Sequence, residues 1–129
     1  MTRFRISDAA ALLGVSADTV RRWIDSGRLP ATREEHGHRI VSGPDLAAFV
    51  RAQAKQAESS QSSARNRMRG IVTDVVRDGV MAQVEIQAGP FRVVSLMSRE
   101  AADDLCLEVG VVAEAVIKST NVVVELPEP

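Results

Sequence analysis

Apolar residues recur every three or four positions through the first fifty residues, and every second position after about residue 68. The first spacing marks helices and the second marks half-buried strands. Phe4-Arg5-Ile6 reads as a short extended lead-in. Ser7 is placed to cap a helix over Asp8–Leu13, which Gly14 closes. Ser16 caps a second helix from Ala17 to about Ser26, ended by Gly27, with Asp18 in the first turn where the helix dipole favours an acid. Val20, Trp23 and Ile24 share one face of it, so Trp23 is expected in the core. Thr19, Arg21, Arg22 and Asp25 fall mostly elsewhere. Ala31-Thr32-Arg33 and Arg39-Ile40-Val41 flank a polar, Gly-containing tip and predict a β-hairpin. A third helix, capped by Ser42 or Gly43 with Pro44 in its first turn, runs through Val50.

Residues 51–62 show no apolar periodicity. Their Ala, Gln, Lys and Glu can extend the third helix, and their Ser/Gln part reads as a spacer. The pattern then turns to strands: Gly70–Val76, Val80–Gln87, Phe91–Met97, Val111–Ile117 and Val122–Leu126. Arg77-Asp78-Gly79 and Ala88-Gly89-Pro90 are the turns. In the second strand Val80, Ala82, Val84 and Ile86 are expected inward. Ser98 caps a short helix over Arg99–Leu105. Val122-Val123-Val124 is apolar on both strand faces, which points to burial in an interface. The expected fold is α+β in two domains. Residues 1–52 form a winged helix-turn-helix, 53–62 a linker, and 63–129 a five-stranded OB-like β-barrel with one short helix.

Composition sharpens this division. Aromatic residues make up only 3% of the 129, so any core is aliphatic. A barrel of roughly 65 residues is small for an independent core, and association would help it. The net charge of −1 argues against non-specific nucleic-acid binding by the whole chain, but residues 1–52 carry +2 and residues 63–129 carry −3. A mildly basic front and an acidic back fit two jobs better than one. Cys106 is the single cysteine, so no internal disulfide forms; between two leucines it reads as a buried small apolar residue. His36 and His38 on a hairpin tip fit solvent or phosphate better than a metal. No nucleophile–base pair, carboxylate pair or metal cluster is visible, so no catalytic residues, no protein-ligated metal and no enzyme activity are expected. No stretch approaches the roughly 18–20 apolar residues of a membrane span, and a cytoplasmic protein is the default expectation.

The front third carries linked features: Ser7-x-x-Ala10, Leu13-Gly14-Val15-Ser16, Thr19-Val20-Arg21-Arg22-Trp23, Gly27-x-Leu29-Pro30, His36-Gly37-His38-Arg39 and Asp45-Leu46. Over about residues 4–50 this order resembles the winged helix-turn-helix of MerR-type and excisionase-type regulators. The resemblance implies that Thr19, Arg21 and Arg22 face the major groove or its phosphates of double-stranded DNA. It implies that the hairpin is the wing, with Arg33, His38 and Arg39 near the backbone or minor groove. Arginines that hold phosphates position such a module, and one or two side chains read bases. The long dimerisation helix of MerR regulators is missing.

The back half opens on Ser63-Ala64-Arg65-Asn66 and is answered by Ile117-Lys118-Ser119-Thr120. Together these offer hydroxyls, a guanidinium and an ammonium, with no carboxylate. An oxyanion presents only acceptors, so this donor set suits a doubly charged one. With Gly70-Ile71-Val72 and Leu105-x-Leu107-x-x-Gly110, residues 62–127 resemble the molybdate-binding Mop domain of molbindins and molybdate-responsive regulators. The resemblance implies that Ser63 and Arg65, with the N–H of Ala64, reach the anion from one subunit. Ser98, Lys118 and Ser119 would approach it from another. A second hydroxyl expected three residues beyond Ser98 is replaced by Ala101, which leaves only its N–H at a helix start.

The combined expectation is a DNA-binding transcriptional regulator that responds to molybdate or tungstate, as a homo-oligomer (dimer or hexamer) through the Mop domain. Two alternatives stand beside it. One is a molybdate storage or buffering protein, and the other is an architectural DNA-binding protein that uses the barrel only to oligomerise.

Overall fold

The computed structural model describes residues 2–54 and 61–128. The chain separates into two compact units, Met1–Gln56 and Ala57–Pro129. Residues 55–60 of the expected linker lie outside the described residues.

The first unit runs β1 (Arg3–Arg5), α1 (Ile6–Leu13), α2 (Ala17–Asp25), β2 (Thr32–Arg33), β3 (Arg39–Ser42) and α3 (Gly43–Gln53). The small sheet has the order β1-β3-β2 and is antiparallel. Ser7 is not the cap of α1. The helix begins at Ile6, and Arg5 precedes it without a side-chain cap. The ladder explains this: Phe4 pairs with Val41 and Arg5 with Ile40, so the chain is held extended up to the residue before the helix. Gly14 ends α1 at φ 68°, a left-handed conformation that glycine takes without steric cost. Ser16 Oγ accepts the Thr19 N–H at 3.1 Å and Ser42 Oγ accepts the Asp45 N–H at 3.2 Å, so α2 and α3 carry the expected caps. Ala9, Ala10, Val20, Leu29, Val41 and Leu46 form the buried core, with Trp23, Ile24 and Phe49 packed on it. The Trp23 and Phe49 rings lie 4.8 Å apart in a tilted stack.

The second unit runs β4 (Asn66–Arg77), β5 (Met81–Ala88), β6 (Phe91–Ser98), α4 (Arg99–Asp104) and β7 (Val112–Ile117), then a 3₁₀ turn over Ser119–Asn121. The order β6-β5-β4-β7 is antiparallel throughout. β4 is the spine. Its first half, Asn66–Ile71, pairs with β7, and its second half, Ile71–Arg77, pairs with β5, with a register shift between Val72 and Asp74. A strand that changes partner and bulges in this way coils the sheet on itself. Gly70 sits where the coil is tightest: a side chain there would overlap the Gln87 carbonyl oxygen. The core is Val72, Ala82, Val84, Ile86, Ala102 and Leu107, with Ala102 supplied by α4.

Several expectations are corrected. Among the described residues the sheet has four strands, where five were expected. Residues 122–126 join no ladder, and Val123, Val124 and Leu126 are 82%, 85% and 91% exposed. The 3₁₀ turn takes the chain off β7 before this apolar run begins, and the barrel is left open. Between β6 and β7 an apolar cleft of about 570 Å³ is lined by Val93, Met97, Leu107, Val111, Ala113 and Ala115 among others. Val80 points outward at 73% exposure, because it belongs to the turn rather than to β5. Cys106 is exposed and has φ 53°, since the chain turns there between α4 and the buried Leu107.

Asp78 organises the β4–β5 turn. Its carboxylate accepts the N–H groups of Val80 and Met81, each at 2.7 Å, and Arg99 donates to its carbonyl at 3.0 Å. The Met81 N–H, then the Val80 N–H, with the Arg99 charge adding to them, hold the carboxyl below the ordinary carboxylate range. A carboxyl lowered in the folded state adds stability above its unfolded pKa of about 3.9, and that stability is lost as pH falls through the folded value. Asp78→Ala is therefore expected to lower the melting temperature at pH 7, and the gap from wild type should close below about pH 3.9. A gap that persists unchanged in acid would show that the carboxylate charge is not what holds the turn. Gly70→Ala is expected to cost more than about 2 kcal/mol. The sheet transition by far-UV circular dichroism should fall, while the fluorescence transition of Trp23, the single Trp, stays in place. Wild-type melting of the sheet in this variant would contradict the close backbone approach.

Candidate functional sites

In the first unit, α2 presents Arg21 and Arg22 to solvent. Arg21 is paired within its own helix to Asp18 Oδ1 at 2.7 Å, whereas Arg22 has no ion-pair partner among the described residues. Thr19 is only half exposed, and its hydroxyl lies 2.9 Å from Ser16 Oγ, so it serves the helix start as well as the surface. Arg33 closes the hairpin by donating to the Gly37 carbonyl at 2.8 Å, and His38 stands exposed at the tip. Arg39 is held by Asp25 at 2.5 Å. That pair ties the hairpin to the end of α2, so helix and hairpin are fixed as one surface. Asp25 and Asp18 were not evident from the sequence as partners of Arg39 and Arg21. Only the i,i+3 spacing of Asp18 and Arg21 could have shown the second pair. Arg28 sits 5.7 Å over the Phe49 ring, a cation–π contact that closes the helix core beside the hairpin.

In the second unit the ladder brings the two donor clusters together. Asn66 pairs with Ile117, and its side-chain amide donates to the Ile117 carbonyl at 3.1 Å. Ser63-Ala64-Arg65 and Lys118-Ser119 are thus the chain segments leaving the same end of β4 and β7. Arg65 and Lys118 put two cations there, and both are exposed. Arg65 folds back on its own loop, donating to the Ser62 carbonyl at 2.8 Å and to the Ala64 carbonyl at 3.3 Å. The Ala64 N–H is taken by Ser62 Oγ at 3.1 Å.

Ser98 and Ala101 lie elsewhere. Ser98 pairs with Met81 at the far end of β5 and β6, near the Arg77 end of β4. Ser98 Oγ accepts the Ala101 N–H at 3.1 Å, which caps α4. That N–H is therefore occupied, and the hydroxyl hydrogen of Ser98 is the donor left over. Within one chain Lys118 and Ser119 thus lie at the same sheet end as Ser63 and Arg65, and Ser98 lies at the other end. Among the described residues no group of three or more His, Cys, Asp or Glu could hold a metal ion, and no helix is long and apolar enough to cross a membrane.

An open-ended sheet with a cationic donor cluster, joined to a helix pair with a β-hairpin, defines a two-module binding protein. A helix-turn-helix domain model matches residues 4–54, and a TOBE domain model matches residues 62–124. The chain is 40% identical over 63 residues to molybdenum-pterin-binding protein 3 of Clostridium pasteurianum, and covers 93% of that protein and 48% of itself. It is 41% identical over 61 residues to the transcriptional repressor DcmR of Methylorubrum extorquens, over 46% of this chain and 23% of that one. The chain spans less than a third of the curated regulatory and chromosome-anchoring relatives that it matches. A molybdate-binding protein from Sporomusa ovata matches with a TM-score of 0.49 at 26% identity, over 51% of this chain and 98% of that one. The chain belongs to the family of the Mop-type molybdenum-pterin-binding proteins, and in it a Mop domain is fused to a helix-turn-helix domain.

Proposed function

We propose that this chain is a molybdate-responsive DNA-binding regulator, with tungstate as an alternative effector. The observation that carries the anion half is the β4–β7 register. It gathers Ser63, Arg65, Lys118 and Ser119 at one end of the sheet in a chain 40% identical to a molybdenum-pterin-binding protein. Arg65 and Lys118 offset the double charge, and the hydroxyls of Ser63 and Ser119 fix the oxyanion by donated hydrogen bonds. To engage, Arg65 swings off the Ser62 carbonyl or turns its remaining N–H groups outward. The N–H of Ala64 joins only after exchanging its bond to Ser62.

One chain holds only part of this donor set. The Ser98 hydroxyl, with Ala101 at the same helix start, belongs to the other end of the sheet, and a second copy would supply it. The same copy can answer the open barrel. The run Val122–Leu126 is exposed and joins no ladder, and the apolar cleft lies between the unpaired edges of β6 and β7. We read the Mop domain as the oligomerisation module, a dimer or a hexamer. A ligand that binds the assembled form better must favour assembly.

The DNA half rests on the surface made by α2 and the hairpin. Arg22 is the α2 cation without an ion-pair partner among the described residues, and Arg21 on the same helix with Arg33, His38 and Arg39 of the hairpin are the further candidates for phosphate. Thr19 is the candidate base reader at the helix start. Such a head is small and its contacts are few, so linking several heads through the Mop domain raises effective concentration and affinity. A cytoplasmic location fits this role.

Fluorescence anisotropy of labelled duplex DNA, titrated with molybdate and with sulfate as control, tests the whole reading. A molybdate-specific change in DNA affinity is expected. Molybdate binding without any DNA binding would move the protein to storage, and DNA binding indifferent to molybdate would leave an architectural role. Arg65→Ala and Lys118→Ala are each expected to weaken molybdate binding at least about a hundredfold, about 2.7 kcal/mol, with an unchanged circular dichroism spectrum. Tight binding retained in both would remove these residues from the site. Arg22→Ala should weaken DNA binding and reduce the salt slope of log K by about one; an unaltered slope would deny it a phosphate contact.

A further inference from the structure

Two arginines meet Asp103, and they are used differently. Arg77 donates through Nε to Asp103 Oδ1 at 3.0 Å and through Nη2 to the Leu107 carbonyl at 2.7 Å. It is spent on tying the end of β4 to the chain that follows α4. Arg99 stands 3.7 Å from the other Asp103 oxygen, beyond hydrogen-bond reach. Its guanidinium donates through Nη1 to the Asp78 carbonyl at 3.0 Å, and its backbone N–H donates to the Val80 carbonyl at 2.8 Å. The residue is thus anchored on the Asp78 turn, directly after Ser98, while its side chain stays 48% exposed. A guanidinium carries five N–H donors. Arg99 therefore keeps most of its donors, and its charge lacks a close carboxylate.

The surroundings give that charge a use. Arg99 shares an open hollow of about 550 Å³ with Ser98, Glu100, Asp103 and Asp104. Asp103 is paired with Arg77. Glu100 and Asp104 are exposed and have no ion-pair partner among the described residues. The Ser98 hydroxyl therefore opens on a surface with two unpaired carboxylates, and among the residues that line the hollow Arg99 is the one cation. The other donor cluster is built differently: Ser63–Asn66 and Lys118–Thr120 hold two cations and no carboxylate. An anion held between the two halves is drawn by Arg65 and Lys118 on one side. On the Ser98 side only Arg99 offsets the repulsion from Glu100 and Asp104.

We propose that Arg99 is a third anion-binding cation, which acts from the Ser98 side and makes the site prefer a tetrahedral dianion over a monoanion of the same shape. The inference rests on the reading of Ser98 as an oxyanion donor brought by a second copy. Coulomb energy scales with the charge of the ion, so a dianion gains about twice as much as a monoanion from each cation and loses about twice as much to each carboxylate. Charge removed from this face therefore changes the affinity for a dianion more than for a monoanion. An arginine that only braced the Asp78 turn would affect both ions alike.

Calorimetric titration of the full chain with molybdate and with perrhenate, a tetrahedral monoanion, tests it. Arg99→Gln is expected to weaken molybdate binding at least about tenfold, and perrhenate binding only by about the square root of that factor, roughly threefold. Arg99→Lys keeps the charge and should restore most of the preference for the dianion. Glu100→Gln removes a carboxylate from the hollow and should tighten molybdate binding about threefold, a gain that misfolding cannot produce. Ser98→Asp is the control for the face itself, because aspartate still caps α4 but sets a carboxylate where the anion is expected. Loss of molybdate binding in Ser98→Asp, with wild-type binding in Arg99→Gln, would overturn the role of Arg99 alone. Equal weakening of both anions in Arg99→Gln would also overturn it and leave a bracing residue. Wild-type molybdate binding in both variants would take the whole Ser98 face out of the site. A wild-type chain that binds neither anion would overturn the oxyanion reading and this assignment with it.

Discussion

The controlling constraint is the unmet edge of the second unit. Four strands coil around a core of Val, Ala, Ile and Leu, and Gly70 lets β4 cross close to β5. Yet β6 and β7 do not meet, and the apolar interior between them stays open as a cleft. Sheet edges with an apolar face are the surfaces that other strands complete. Burial is the main stabilising term available to an aliphatic unit of this size. The tail that could close the sheet, Val122–Leu126, lies exposed. The proposed association would meet the needs of the ladder, the core and the tail together.

The same strands gather the donor cluster proposed for the oxyanion. The ladder that pairs Asn66 with Ile117 gathers Arg65 and Lys118 because β4 begins where β7 ends. Two exposed cations at one strand end repel each other unless an anion lies between or beside them. Ser98 is locked into capping α4 and cannot join them within its own chain's ladder. In the first unit a different device serves: the Arg39–Asp25 pair fixes the hairpin on α2, so one rigid surface faces outward.

Much of this was legible in the sequence, and the reasons differ by element. Ser16 and Ser42 announced α2 and α3 because a serine oxygen at a helix start has a single structural use there. The alternation through Ala82, Val84 and Ile86 gave β5 and its inward face. Val80 shares that alternation and still points outward, because the Asp78 turn reaches two residues into the pattern. Ser7 looks like a cap, but the β1–β3 ladder, which no local pattern shows, starts the helix earlier. Residues 122–126 read as a strand from composition, and composition cannot say which sheet holds it. The donor set at Ser63–Arg65 and Lys118–Ser119 was visible as chemistry. That those two clusters adjoin each other, while Ser98 stands apart, is a fact of register and needed the structure.

The most direct test of a site shared between copies is the affinity for molybdate measured as a function of protein concentration, by calorimetry or equilibrium dialysis. Sharing predicts that binding weakens as the chain is diluted through its own dissociation, and that molybdate in turn holds the assembly together. A molybdate affinity that stays constant down to concentrations where the chain is monomeric would contradict it, and would mean that one copy carries the whole site.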